Sequence, residues 1–254
     1  GPHINWGYCD SPLIYDDLVI LTPGGPSPNV VALDKYSGEL RWSASLDSAT
    51  NAYNSPFLIR HRDEELVVLN TTGYLVLIHP RTGEVAYKHP IAHPNNNHAI
   101  SPLYIDGKLF TTTGYGGGAV LYEINEADKR LDTVYYNRDL DSRLSGLLMV
   151  DGIVYGTSHR KKQWVGVDLE TGQTVFQSRE LKPGSFLLAD GKFFILTETG
   201  EVALAKPHRE GFDVLSRFDI PVGSVQLAFT HPVMYEGTLY IRYRDQLWLF
   251  DVNK

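Results

Sequence analysis

The chain has 254 residues, 43% of them hydrophobic and 11% aromatic, enough apolar material for a sizeable core at a length normal for an all-β domain. A formal net charge of −7 and a pI near 5.7 argue against nucleic acid as partner, because a phosphate-binding domain carries a basic face. No stretch is long and apolar enough to span a bilayer as a helix, and the single cysteine, Cys9, excludes an intramolecular disulfide.

Taken in chain order, the first residues (Gly1-Pro2-His3-Ile4-Asn5-Trp6-Gly7) show neither an initiator Met nor a signal-peptide pattern, as expected of a processed chain or a fragment. One unit then recurs about six times. It opens with a small polar lead-in and an apolar strand. An Asp-Gly-like turn, a second strand, a polar hairpin and a third strand follow. A Thr-Gly-like turn and a fourth strand bearing an aromatic close it.

The first repeat opens at Ser11-Pro12-Leu13, turns at Asp16-Asp17 and again at Asp34-Lys35-Tyr36-Ser37-Gly38, and carries Trp42. The second opens at Ser55-Pro56-Phe57 and ends with His79-Pro80-Arg81-Thr82-Gly83 and Tyr87. Its first turn departs from the pattern: His61-Arg62-Asp63-Glu64-Glu65 predicts a longer charged hairpin. The third opens at Ser101-Pro102-Leu103 and turns at Asp106-Gly107, but has Asn125-Glu126-Ala127-Asp128 in place of the Thr-Gly element. The fourth runs from Gly146-Leu147-Leu148 through Asp151-Gly152 and Asp168-Leu169-Glu170-Thr171-Gly172 to Phe176. The fifth opens at Ser185-Phe186-Leu187, turns at Asp190-Gly191, and replaces the Thr-Gly element by Lys206-Pro207-His208-Arg209. The sixth opens at His231-Pro232-Val233, turns at Glu236-Gly237 and supplies only three strands. Successive lead-ins are 44, 46, 45, 39 and 46 residues apart, the period of a four-stranded propeller blade. Asp-Gly between apolar runs is a strong hairpin signal, because Gly accepts φ > 0 at no steric cost.

Val31-Ala32-Leu33-Asp34, Ser37-Gly38 and Trp42 resemble the tryptophan-docking repeat of pyrroloquinoline-quinone-like (PQQ-like) β-propellers. That repeat is shared by quinoprotein dehydrogenases and by the outer-membrane assembly factor propeller of Gram-negative bacteria. The resemblance covers nearly the whole chain. It implies an all-β fold of four-stranded antiparallel blades, WD40-like in architecture, forming a single domain over residues 1–254. Family members usually have eight blades, so about two N-terminal blades are expected to be missing here; a complete six-bladed ring is the rival reading. The resemblance also implies export to the periplasm or cell surface of a bacterium.

Strand parity puts the lead-in segments and the second-to-third hairpins on one face, opposite the Asp-Gly and Thr-Gly turns. The lead-ins should converge on the mouth of a central channel. Trp6, Tyr8, Asp10, Asn51, Tyr53, His98, Arg143 and His231 are therefore the candidate ligand face, able to hydrogen-bond a protein segment or a small polar ligand. Their competing role is that of hydrated channel-mouth residues. Arg160, Lys161 and Lys162 with Arg143 suggest a local anion site, against which stands a solvated hairpin tip. Gly114-Tyr115-Gly116-Gly117-Gly118 lies between apolar strand patterns, so it reads as a hairpin and not as a phosphate loop, which needs a helix behind it.

No metal site is expected from the histidines: His89 and His93 are four apart, but Pro90 and Pro94 forbid a helix that would align them. No catalytic residues are assigned. Quinoprotein dehydrogenases hold their quinone with Ca²⁺ in the channel and typically use an adjacent-cysteine disulfide, a Trp floor and acidic and Asn ligands. Cys9 alone forms no such disulfide, and no ligand set maps onto this sequence, so no cofactor is expected. The leading expectation is a non-catalytic binding or scaffold propeller. The alternative is a divergent quinone-dependent oxidoreductase with calcium.

Overall fold

A computed structural model of the protein describes residues 9–24, 27–47, 50, 52–91, 98–221 and 227–252. Every helix or strand among them is a strand. The first sheet is β1 (Leu13–Tyr15), β2 (Leu18–Leu21), β3 (Val30–Asp34) and β4 (Leu40–Ala44). The second is β5 (Phe57–His61), β6 (Glu64–Asn70), β7 (Tyr74–Ile78) and β8 (Val85–Pro90), and the third is β9 (Leu103–Ile105), β10 (Lys108–Thr113), β11 (Gly118–Asn125) and β12 (Arg130–Asn137). The fourth contains β13 (Leu148–Val150), β14 (Ile153–Ser158), β15 (Gln163–Asp168) and β16 (Thr174–Ser178). The fifth contains β17 (Gly184–Ala189), β18 (Lys192–Thr197), β19 (Glu201–His208) and β20 (Gly211–Asp219). The sixth has three strands, β21 (Val233–Tyr235), β22 (Thr238–Tyr243) and β23 (Gln246–Asp251). Each sheet runs in sequence order, the meander of a propeller blade.

The turns explain the meander. Asp16, Asp106, Asp151, Asp190 and Glu236 all have φ between 44° and 51°, and Gly107, Gly152, Gly191 and Gly237 follow at φ of 66° to 82°. Positive φ at both central residues is the tight hairpin whose twist matches the strands. The charged turn of the second repeat corrects the expectation of a longer hairpin. His61 pairs with Glu64, so only Arg62 and Asp63 form the turn, and Arg62 takes the left-handed position at φ 52°. At the third-to-fourth turns, Asp34 Oδ1 accepts the N–H of Tyr36 (2.9 Å) and Ser37 (2.8 Å), and Asp168 Oδ1 accepts the N–H and hydroxyl of Thr171 (both 3.0 Å). The side chain thus supplies acceptors that the tight chain reversal would otherwise leave unmade.

Two compact units emerge: residues Gly1–Thr113 with Val120–Tyr136, and Gly114–Ala119 with Asn137–Lys254. In the first unit, Leu66 to Leu69 of β6 and the whole of β7 are apolar, and both faces are covered. Val67, Leu69, Val76 and Ile78 pack with Leu18, Ile20, Ala32 and Trp42; Leu66, Val68, Leu75 and Leu77 pack with Leu109, Tyr122 and Leu131. In the second unit an aromatic cluster of Tyr155, Trp164, Phe186, Phe193 and Phe212 joins the fourth and fifth sheets. Leu196 and Val202 meet Leu239, Ile241 and Tyr243 between the fifth and sixth.

The aromatic on the fourth strand docks on the following sheet's turn. The Trp42 Nε1–H donates to the Pro80 carbonyl (2.9 Å), and its ring lies so close to Gly83 that a Cβ there would sit 2.5 Å from it. Lys129, in the turn between β11 and β12, places its ammonium 5.4 Å from the Tyr87 ring centre. Phe176 covers Gly211, where a Cβ would again lie 2.5 Å from the ring.

The irregular repeats trade turn chemistry for contacts between sheets. His61 Nε2–H donates to Glu126 (2.8 Å), Arg62 pairs with the same carboxylate (2.7 Å), and His61 Nδ1 lies 3.0 Å from the Tyr104 hydroxyl. The unusual turn of the second repeat and the missing Asp of the third thus meet each other. Likewise Arg209 of the fifth repeat reaches Asp168 of the fourth (2.7 Å). In the sixth sheet, Asp251 stands opposite Thr238, as Asp34 stands opposite Leu18 and Asp168 opposite Ile153. By register β23 is therefore the equivalent of a third strand.

Gly38 and Gly83 share φ 75°, but only Gly83 lies under a ring; a Cβ at Gly38 would meet nothing within 4 Å. Gly38→Ala should cost about 1–2 kcal/mol of left-handed strain, and Gly83→Ala a further 1–3 kcal/mol or so for overpacking. Equal melting shifts for the two variants would refute the docking account. A second test uses pH. The Arg41 guanidinium, then the Ser37 and Tyr36 N–H groups, hold the Asp34 carboxyl well below the usual carboxylate range; the Thr171 N–H first, with Arg209 among the lesser causes, lowers that of Asp168. A depressed folded-state value gives stability that is present above about pH 4, the unfolded carboxylate value, and lost as pH falls through the folded one. Asp34→Asn combined with Asp168→Asn should therefore melt lower at neutral pH and lose less stability on acidification than the parent; parallel acid curves would contradict this.

Candidate functional site

In the second unit the lead-in segments and second-to-third hairpins do gather on one face, as strand parity requires. Three lead-ins contribute: Arg143, Leu144 and Ser145 before β13, Pro183 before β17 with Gly184 and Ser185 at its start, and Ala228 and Phe229 before β21. His159 and Lys162 come from the β14–β15 hairpin, and Glu198 from the β18–β19 hairpin. Together with Thr157 these residues line a cleft whose enclosed volume is about 10 Å³, the room of about one water.

Asp141, buried at 1% exposure, organises this face. Its Oδ1 accepts the Ser158 hydroxyl (2.5 Å), its Oδ2 accepts the Gly116 N–H (3.0 Å), and the Arg160 N–H lies 3.3 Å from Oδ2. Its carbonyl accepts the His159 N–H (3.1 Å). One carboxylate thereby ties the Gly114–Gly118 hairpin to the β14–β15 hairpin. Glycine is required at that crossing: a Cβ on Gly114 would sit 2.8 Å from Arg143 Cβ, and one on Gly116 would sit 2.8 Å from Arg160 Cδ. The Tyr115 ring then meets the His159 imidazole edge-on at 4.7 Å. The flanks of this hairpin are the strands β10 and β11, as their apolar pattern predicts.

Arg143 spreads across the cleft. Its guanidinium lies 5.3 Å from the Phe229 ring centre, and Nη2 is 3.7 Å from Glu198 Oε1. Its Nε–H is sealed from solvent and meets no acceptor among the described residues. The Lys162 ammonium donates to His159 Nδ1 (3.4 Å). Burial first, then the nearby charges of Lys162 and Arg143, hold the His159 pKa below its ordinary value, so the ring is neutral at pH 7. The hydroxyls are already engaged: Ser145 with Thr157 (2.9 Å), and Ser185 with the Thr230 carbonyl (2.6 Å). Neither bond is to an imidazole, which is what an activated serine needs.

Of the eight residues singled out from sequence, the structure brings Arg143 and His231 to the same place. The His231 Nε2–H donates to the Leu144 carbonyl (3.0 Å), and its ring rests 3.1 Å from where a Gly146 Cβ would lie. Asp10, Tyr53 and His98 occupy lead-ins of the first unit. Asp10 accepts the Thr22 hydroxyl, Tyr53 adopts φ 69°, and His98 is buried. Neighbouring lead-ins there are stitched by Ser11 N–H to Ser55 Oγ (2.8 Å) and Ser101 Oγ to the Ser55 carbonyl (3.2 Å). Trp6, Tyr8 and Asn51 lie outside the described residues. Of the basic run, Lys161 is paired with Asp139 (2.5 Å) and Arg160 packs on Gly116, leaving Lys162 with Arg143 at the cleft. Asp141, Glu198 and Phe229 were not foreseen. The aromatic just before the Thr-His-Pro lead-in is the one sequence feature from which Phe229 could have been found.

The cleft does not suit a quinone held by Ca²⁺. It offers one carboxylate, Glu198, where calcium takes about six to eight oxygens. Among the described residues no group of three or more His, Cys, Asp or Glu side chains is placed to hold a metal ion.

No curated protein matches the sequence. Among solved structures, BamB from Moraxella catarrhalis aligns with TM-score 0.70 at 17% identity, over 94% of this chain and 70% of that one. Sqt1 from Saccharomyces cerevisiae aligns at 0.65 and 14% identity, over 93% and 69%. Quinohemoprotein alcohol dehydrogenase from Comamonas testosteroni aligns at 0.60 and 11% identity, over 92% and 51%. At such identities these likenesses establish the fold, a β-propeller of four-stranded blades, and leave the chemistry to the site itself. Residues 5–178 match the family model described as outer membrane protein assembly factor BamB. With that match covering well over half of its 254 residues, the chain belongs to the BamB-type family of PQQ-like propeller proteins.

Proposed function

We propose that this protein is a non-catalytic binding propeller that captures a segment of another protein on the loop-rich face of its second unit. The observation that carries this reading is the rim of the Arg143 cleft. Phe229 exposes 44% of its surface, with its ring 5.3 Å from the guanidinium of Arg143, a mostly buried cation. An exposed aromatic beside a fixed arginine is the composition of a protein-binding centre. The face is rigid where it matters, because Asp141 and the glycines of the Gly114–Gly118 hairpin fix its backbone. A preformed surface loses little freedom on binding. The hydroxyls of the cleft are consumed by structural bonds, which favours capture over chemistry.

The family's description as an outer membrane assembly factor supports a partner that is a protein and an exported location, in the periplasm or at the cell surface. Among the described residues no helix is long and apolar enough to cross a membrane. No quinone or metal is part of this reading.

A photo-reactive residue at position 229 should give a discrete adduct in cells producing the protein. The same residue at position 170, in the Asp168–Gly172 turn on the opposite face, should give none. Equal labelling from both positions, or no adduct from position 229, would contradict the reading. Recovery of the adduct in the periplasmic or cell-surface fraction tests the location.

A further inference from the structure

The same cleft carries a more specific conclusion, which rests on the binding reading above and names the group recognised. We propose that the cleft receives a carboxylate borne by an acidic residue of the partner segment, with Arg143 as its principal donor and the apolar rim holding the neighbouring side chain.

The guanidinium is under-used. It carries five N–H groups, and its Nε–H meets no acceptor among the described residues. Its nearest carboxylate, Glu198, stands 3.7 Å from Nη2, beyond hydrogen-bond reach. A guanidinium prefers two parallel bonds to one carboxylate, and here neither is made. Its stem is fixed by the Gly114 backbone and its face by Phe229, so little side-chain freedom remains to be lost on binding.

The charge around it favours an anion. Of the charged side chains lining the cleft, Arg143 and Lys162 are cationic and Glu198 is anionic; Asp141, whose charge also reaches the His159 ring, lies buried behind them with its oxygens taken up by the Ser158 hydroxyl and the Gly116 N–H. With the Asp141 charge taken up by those donors, the two cations in the wall draw a small anion to this spot on an acidic protein. His159 adds no charge and anchors Lys162 through its Nδ1. The exposed Phe229 selects a segment in which an apolar residue adjoins the acidic one, which a free small anion does not provide.

Glu198 is then a resident competitor. Its charge offsets that of Arg143 and opposes the incoming carboxylate, so Glu198→Gln strengthens binding where an ordinary stabilising ion pair would make it weaken.

Calorimetric and NMR titrations of the whole chain with three probes test this: acetyl-Leu-Glu-Phe-amide, its Gln counterpart, and sodium acetate. The Glu peptide should bind at least about ten-fold tighter than the Gln peptide, a difference of about 1.4 kcal/mol. Arg143→Gln should erase that difference, and Glu198→Gln should tighten the Glu peptide alone by several-fold. Equal binding of the two peptides, binding of neither, or a preference that survives R143Q overturns the proposal. Weaker binding in E198Q overturns it too. Acetate binding as tightly as the Glu peptide assigns the cleft to free anions and overturns the protein source. Equal peptide binding with the position-229 adduct intact sinks the carboxylate and leaves protein capture standing; a Glu preference without the adduct does the reverse.

Discussion

A four-stranded sheet with two apolar faces has no stability of its own in water, and in this chain the seat of one sheet on the next is an aromatic ring over a turn glycine. Trp42 over Gly83 and Phe176 over Gly211 are the same device in the two units. The ring covers the place where a Cβ would stand, and the glycine is also what the turn needs for its positive φ. One residue therefore satisfies a backbone requirement and a packing requirement together. The indole adds a directional bond to the Pro80 carbonyl, which fixes the orientation as well as the contact. Burial of β6 and β7 on both faces follows, because sheets held in this way exclude water from either side of the strand pair.

Where the docking motif lapses, polar contacts between sheets replace it. His61, Arg62 and Glu126 meet in the first unit, and Arg209 meets Asp168 in the second. Arg62 and Arg209 are largely exposed, so their ion pairs add little by themselves, and the buried partners carry the contacts. His61 is buried, and the Asp168 carboxylate already accepts the Thr171 N–H and hydroxyl, so each charge joins an existing network. The irregular face carries the same logic to its end: Asp141 holds two hairpins in place, and Arg143 lies across what they enclose.

The blades were legible because their signals are local. Asp106-Gly107, Asp151-Gly152 and Asp190-Gly191 announce a tight turn through dihedral requirements that hold regardless of surroundings. Arg62-Asp63 escaped that reading. Arg62 accepts φ 52° with its guanidinium fixed on Glu126, a residue of the next repeat that no local pattern connects to it. The candidate site was legible in part, since strand parity assigned Arg143 and His231 to one face and the structure joins them through Leu144. Glu198, Phe229 and Asp141 were not, because their roles arise from three lead-ins and three hairpins meeting in space. Asp141 reads in sequence as one more loop acid; only its burial and its donors distinguish it.

The central claim, that aromatic docking on turn glycines holds neighbouring sheets together, is tested most directly by hydrogen exchange at the Trp42 indole. Its Nε1–H is buried against the Pro80 carbonyl. If the dock is integral to the first unit, that proton exchanges only when the unit opens as a whole, at the rate of the amides of Val67 and Val76 between the same sheets. An indole proton that exchanges far faster than those amides would mean that the ring undocks while the sheets stay together, and the account would be wrong.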